Sequence, residues 1–271
     1  MADTPDTGAQ AATPQLPLFY KSLTPLSSQV HANFGVENRT DLEFTRGVHT
    51  VPVTVDEFAA AGRHFPIIFS TDELPVPLAL FGLQSGQNFY LKENGQWEQD
   101  GYVPAYIRRY PFMLARVSPE TTDLSLCFDD TCSEIGENDG QSLFADGEPT
   151  EATKNVLKFC EEFEKSIQRT HAFARMLQED DLLMDGEVSI TPRDPNAKPS
   201  VYRGFKMVNE EKVKEMRGDQ LRKYVQNGAL PLMYAHLMSV HIIRELFAKA
   251  NPQLAQAPSS TDRADDSTVA A

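Results

Sequence analysis

The chain is short of the residues that staple small proteins together and has none of the long apolar runs that cross membranes. Only three of its 271 residues are cysteine. That odd number in a long chain excludes a disulfide framework and predicts reduced thiols. No stretch approaches the roughly 18 consecutive apolar residues of a transmembrane helix. Residues 1–14 carry neither a basic segment nor an apolar one, so no classical secretory signal is expected. Together these absences predict a soluble, cytoplasmic protein. Positive charge is scarce as well: 25 Lys and Arg stand against 39 Asp and Glu, a formal net charge of −14. Such a surface repels phosphate backbones, which excludes nucleic acid as a partner and disfavours anionic membranes.

Catalytic and cofactor motifs are missing too. There is no GxGxxG or GKS/T loop to cradle phosphate, no GxSxG serine elbow and no HExxH or HxH pair. No cofactor and no metal is therefore expected. His236 and His241 are five residues apart, about 140° around a helix, and cannot easily face one ion. His236 reads better as a partly buried, hydrogen-bonded side chain. Cys127 and Cys132 form a C-x4-C with no second pair, and Cys160 lies in a helical pattern, so all three read as small apolar side chains. Between Arg116 and Lys154 there is no basic residue at all. A calcium loop starting at Asp130 would put Cys132 third and Ile135 sixth, where an acid and a glycine are required, so the interval reads as a solvated acidic loop.

What is present describes an α+β chain, with 41% hydrophobic residues and length enough for one large core or two modest ones. Residues 1–15 and 251–271 are polar and aperiodic and are expected to be disordered tails. Residues 16–148 form a β-rich half in an antiparallel or mixed sheet: strands are expected near 49–53, 65–69, 78–83, 112–117 and 124–128, with a short helix at 55–61. Pro52 makes the first of these an edge strand. Residues 149–250 form a mainly helical half, expected to pack against the first. Val156, Cys160, Phe163, Ile167, Ala174 and Leu177 mark a long amphipathic helix behind a Thr150 cap. Two strands flank a Pro-rich loop near 190–200. Helices follow over 209–216 and 219–228, the second capped by Asp219, and one buried helix over 230–248.

The densest stretch is 77–117, which holds the only tryptophan, Trp97. Asn94-Gly95 is the dipeptide of a two-residue type I′ hairpin, which puts Lys92 opposite Trp97. After it, Tyr102, Tyr106, Tyr110 and Phe112 surround Arg108 and Arg109. An arginine offers a planar fork of donors and stacks on rings. Arg108, Arg109, Tyr102, Tyr106, Tyr110 and Trp97 are therefore the candidate site for a small acidic ligand, or for a protein partner. On an extended backbone the two arginines would point to opposite faces, one structural and one available.

Residues 82–114 read GLQSGQNFYLKENGQWEQDGYVPAYIRRYPFML, and this resembles the signature of the bacterial SapC family, named for a gene linked to a paracrystalline surface layer. Two later blocks, GFKMVNEEKV at 204–213 and NGALPLMYAHLMS at 227–239, resemble the family's closing pattern. The likeness runs from about residue 16 to 248. It implies a link to the bacterial envelope, to surface-layer or outer-membrane uptake systems, and it brings no catalytic residues with it. The leading expectation is a non-enzymatic binding or assembly factor. The alternative is an enzyme acting on a small carboxylate or sugar held at Arg108 and Arg109.

Overall fold

In a computed structural model, residues 16–98, 101–117, 123–137, 140–190 and 200–251 are described. The expected tails, 1–15 and 251–271 except Asn251, lie outside the described residues, as does most of the Pro-rich loop. The class is α+β, with antiparallel sheets mostly in the first half and helices mostly in the second. Two compact units interleave along the chain: one takes 1–38 and 109–160, the other 39–108 and 161–271.

The larger unit is built on a five-stranded antiparallel sheet in the order Leu183–Ile190, Ser200–Val208, Ile67–Phe69, Pro77–Leu80, Thr50–Pro52. Ile67, Ile68 and Phe69 are all buried because they occupy the middle strand, apolar on both faces. Thr50–Pro52 is the sheet's outer strand, where a proline removes no ladder bond. In the long hairpin the Phe205 ring lies over Gly186, its cross-strand partner; a Cβ there would come within 2.1 Å of the ring.

The helix Ala229–Val240 is fastened to this sheet through two side chains one turn apart. His236 Nε2 accepts from Val208 N at 3.1 Å, and Ser239 Oγ accepts from Ile67 N at 2.9 Å. The Ser239 hydroxyl also donates to the His236 carbonyl at 2.7 Å. The single helix expected over 230–248 is in fact two, Ala229–Val240 and Ile243–Ala250. At the junction the amides of His241, Ile242, Arg244 and Glu245 bond three residues back rather than four, so the last turn tightens and the axis is interrupted. Asp219 likewise does not cap its helix. The cap position lies two residues earlier, at an extended Arg217, and the helix Gly218–Gln226 carries Asp219 in its first turn.

The smaller unit holds two three-stranded antiparallel sheets, Thr24–Pro25 with Ser125–Phe128 and Phe112–Ala115, and Ile135–Glu137 with Phe34–Val36 and Gln141–Ser142. Phe112, Leu114, Phe128, Ile135, Leu143, Phe144 and Cys160 form its core. The helix Glu151–Glu179 starts here as expected, with Thr153 N 3.4 Å from Thr150 Oγ1. Its remainder, from Glu161 onward, belongs to the larger unit. The three cysteines are buried and form no disulfide.

The hairpin forms at Asn94-Gly95, but not as a two-residue turn. Gly95 N donates to Lys92 O at 3.1 Å, Lys92 N to Gln96 O at 2.9 Å, and the cross-strand pair is Leu91 with Trp97. The loop is therefore Glu93-Asn94-Gly95, a turn closed by a left-handed glycine with φ of 78°. Asn94 is not among the residues with positive φ; its Oδ1 instead accepts from Gln96 N at 3.2 Å. Register shifts by one residue, and Leu91 rather than Lys92 faces the indole. Gly95→Ala should then cost about 1 to 2 kcal/mol from the left-handed backbone alone. Asn94→Val should cost about 1 kcal/mol or less, for two exposed hydrogen bonds with Gln96. Thermal melting of the two variants checks this, and an Asn94 effect larger than that of Gly95 would contradict the turn.

Candidate functional site

The six aromatic and arginine positions singled out by the sequence do not form one cluster within either unit. Trp97, Tyr102, Tyr106 and Arg108 belong to the larger unit, and Arg109 and Tyr110 to the smaller. In the larger unit Trp97 packs edge-on to Phe65 and Phe81 and stacks on Tyr90, with ring centroids 6.2 Å apart and planes at 21°. Its Nε1 donates to the Tyr102 carbonyl at 3.2 Å. Tyr106 is buried, edge-on to Phe163. Arg108 is exposed, and its side chain folds back so that Nε donates to Val103 O at 3.0 Å and Nη2 to Tyr102 Oη at 3.3 Å.

A residue that the sequence reading passed over organises this region. Glu57 is only 6% exposed, yet its carboxylate receives four donors. Oε2 accepts from Thr54 N and Thr54 Oγ1 at 3.1 and 3.0 Å, and Oε1 accepts from Tyr102 Oη at 2.8 Å and Ala105 N at 2.6 Å. Burial first, then the Glu57 charge and hydrogen bond, push the Tyr102 phenol up to about 12, against a smaller opposing effect of Arg108. The local half of this arrangement had a signal: Thr54-x-x-Glu57 ahead of an apolar run is a capping box. Its other half, across 45 to 48 residues to Tyr102 and Ala105, had none.

Arg108 and Arg109 follow a helical turn, Ala105–Arg108, rather than the extended backbone expected. Consecutive residues there diverge by about 100°, which is why one is exposed and the next buried. Arg109 is 6% exposed, with its guanidinium carbon 5.8 Å from the Tyr20 ring centre. In the same unit Asp129 is fully buried and accepts from Lys21 N at 2.8 Å, Thr131 N at 3.0 Å and Thr131 Oγ1 at 2.7 Å. Burial raises its pKa, but these hydrogen bonds outweigh burial and hold it below the usual carboxylate value. Tyr110 Oη lies 3.4 Å from the same carboxylate. Arg109→Ala should lower stability by about 2 to 4 kcal/mol, as expected for deleting a buried, packed guanidinium. Arg108→Ala should stay within about 0.5 kcal/mol. Equal melting temperatures for the two variants would contradict this division.

A concavity of the larger unit lies elsewhere. One face of the long helix, Arg169, Ala172, Phe173 and Met176, meets Asn227, Ala229 and Leu232, with Val55 and Asp56 closing one end of an open groove of about 470 Å³. Phe173 joins its floor to the core by edge-on contact with Phe58, ring centres 6.0 Å apart. At the closed end Arg169 pairs bidentately with Asp56, through Nε to Oδ1 at 3.2 Å and Nη2 to Oδ2. That pairing holds the Asp56 carboxyl below its ordinary value. Asn227 is held at the other end, with Oδ1 accepting from Ala229 N at 3.0 Å. The spacing 169, 172, 173, 176 is a second helical stripe beside the buried one, and could have been read as such. What covers or faces it could not.

Among the described residues no three His, Cys, Asp or Glu side chains come together to hold a metal, and no helix is long and apolar enough to cross a membrane. Fold and groove together define an α+β protein that carries an apolar groove with polar ends. The chain belongs to the SapC family, whose model matches residues 26–246. Comparison with the curated proteins and with the solved structures finds no match.

Proposed function

We propose that this chain is a non-enzymatic binding or assembly factor serving the bacterial envelope, at surface-layer or outer-membrane uptake systems, and that the groove beside Phe173 is its recognition surface. One observation carries the reading. Among the described residues that line the groove, the titratable side chains are Asp56 and Arg169, and they pair with each other. The lining thus supplies apolar area and shape, while its acid and its base are already engaged. General acid–base work needs a group poised to exchange a proton with a reactant; recognition needs apolar contact with a few fixed polar ends.

The test is a groove-filling variant. Ala172 is exposed on the lining face of the helix, so Ala172→Trp adds an indole to the groove without entering the core. Parent and variant should melt alike. The parent, incubated with solubilised envelope material, should retain a component that the variant loses, read by native mass spectrometry. Retention by both, or by neither, would remove the groove from the proposal.

A further inference from the structure

Taking the groove as the recognition surface, we infer that its ligand is a linear aliphatic carboxylate of about eight carbons, with the carboxylate at Arg169 and the chain lying along the helix towards Met176.

The dimensions set the chain. From Arg169 to Met176 the lining face rises by seven residue steps, about 10 Å of helix at 1.5 Å per residue. An extended alkyl chain, with bonds of about 1.5 Å at near-tetrahedral angles, advances about 1.25 Å per bond, so about eight bonds span that length. The wall along this path is Ala172, Phe173, Met176, Ala229 and Leu232, with no charged side chain among the described residues between the two ends. The thioether of Met176 adapts to a chain terminus better than a branched side chain would.

The closed end sets the head group. A guanidinium has five donors in a fixed fork. Asp56 occupies Nε and Nη2 of Arg169, and both Asp56 oxygens are used in doing so. The pair is neutral in charge but unequal in hydrogen bonding: the carboxylate is engaged at both oxygens, while the Nη1 side of the guanidinium still has donors to offer. An anionic, planar acceptor fits that surplus, and an ammonium does not. A simple alcohol would gain the chain contacts without the paired acceptors.

Calorimetric titration with hexanoate, octanoate and 1-octanol tests the inference, using the full chain and three variants whose melting is checked first. Octanoate should bind once per chain, and hexanoate about tenfold more weakly for its two missing methylenes. Ala172→Trp should abolish binding of all three. Arg169→Gln should weaken octanoate about fivefold and leave octanol unchanged. Asp56→Asn should strengthen octanoate, because it frees the guanidinium; a merely structural pair gives no such gain. No saturable octanoate binding overturns the inference. Octanol binding as tightly as octanoate, or Asp56→Asn weakening it, overturns the carboxylate assignment. If octanoate fails to bind while Ala172→Trp still loses the envelope component, the recognition surface stands and only the ligand class falls. If octanoate binds equally to Ala172→Trp, both fall.

Discussion

Glu57→Ala should lower the free energy of unfolding by about 3 to 5 kcal/mol, because it strips the acceptor from four donors at once in a buried site. Two are backbone amides, Thr54 N and Ala105 N, which cannot turn elsewhere. The others are hydroxyls, which can. Glu57→Gln is the informative companion. It keeps the shape and one oxygen but faces an NH2 group toward one pair of donors, so a loss of about 2 kcal/mol is expected, as for one buried group left badly paired. The phenol of Tyr102 gives a readout independent of stability. In the Gln variant its titration should move down from about 12, since the Glu57 charge and hydrogen bond are among the causes that raise it. Ultraviolet difference titration measures this. A phenol that titrates unchanged in Glu57→Gln, or an Ala variant that melts with the parent, would show that the carboxylate does not organise the signature segment.

Acid should weaken the fold through His236, and the size is set by its burial. The side chain is fully buried and burial pushes its pKa down to about 4, against a smaller raising contribution from the Ile67 backbone. The neutral ring is the form the fold needs, because Nε2 accepts from Val208 N. With the folded value depressed below the unfolded 6.5, the contribution is complete above pH 6.5 and is lost as pH falls from there towards 4. At pH 4.5 the loss relative to neutral pH is about 2 to 3 kcal/mol from this one group. His236→Gln can keep an acceptor for Val208 N but does not titrate, so its stability should fall less over the same interval by about that amount. Denaturant unfolding of both proteins at pH 7 and 4.5 compares them. Parallel losses would place the acid sensitivity in other groups.

The parts of the fold that were legible in the sequence are those fixed within a few residues. The helix beginning at Thr150 has its cap, its acidic first turn and its apolar stripe in one continuous segment. Thr50–Pro52 lies at a sheet edge because proline lacks the amide that an inner strand must donate. Asn94-Gly95 marked a hairpin correctly. Whether two or three residues make the loop depends on which of them adopts positive φ, and the dipeptide alone does not decide that.

Tertiary structure decided what the sequence could not hold locally. Glu57 meets Ala105 across 48 residues, Ile67 meets Ser239 across 172, and the groove joins residues from 55 to 232. A carboxylate in a capping box reads as a surface feature until a distant tyrosine and a distant amide enclose it. Arg108 and Arg109 look equivalent in sequence because side-chain type carries no record of direction; a single helical turn sends one outward and one inward. Composition, periodicity and turn chemistry therefore determined the class, most of the longer elements and the signature segment. Burial, and with it the raised pKa of Tyr102, the lowered pKa of His236 and the shape of the groove, arose only when segments far apart in the chain excluded water from one another.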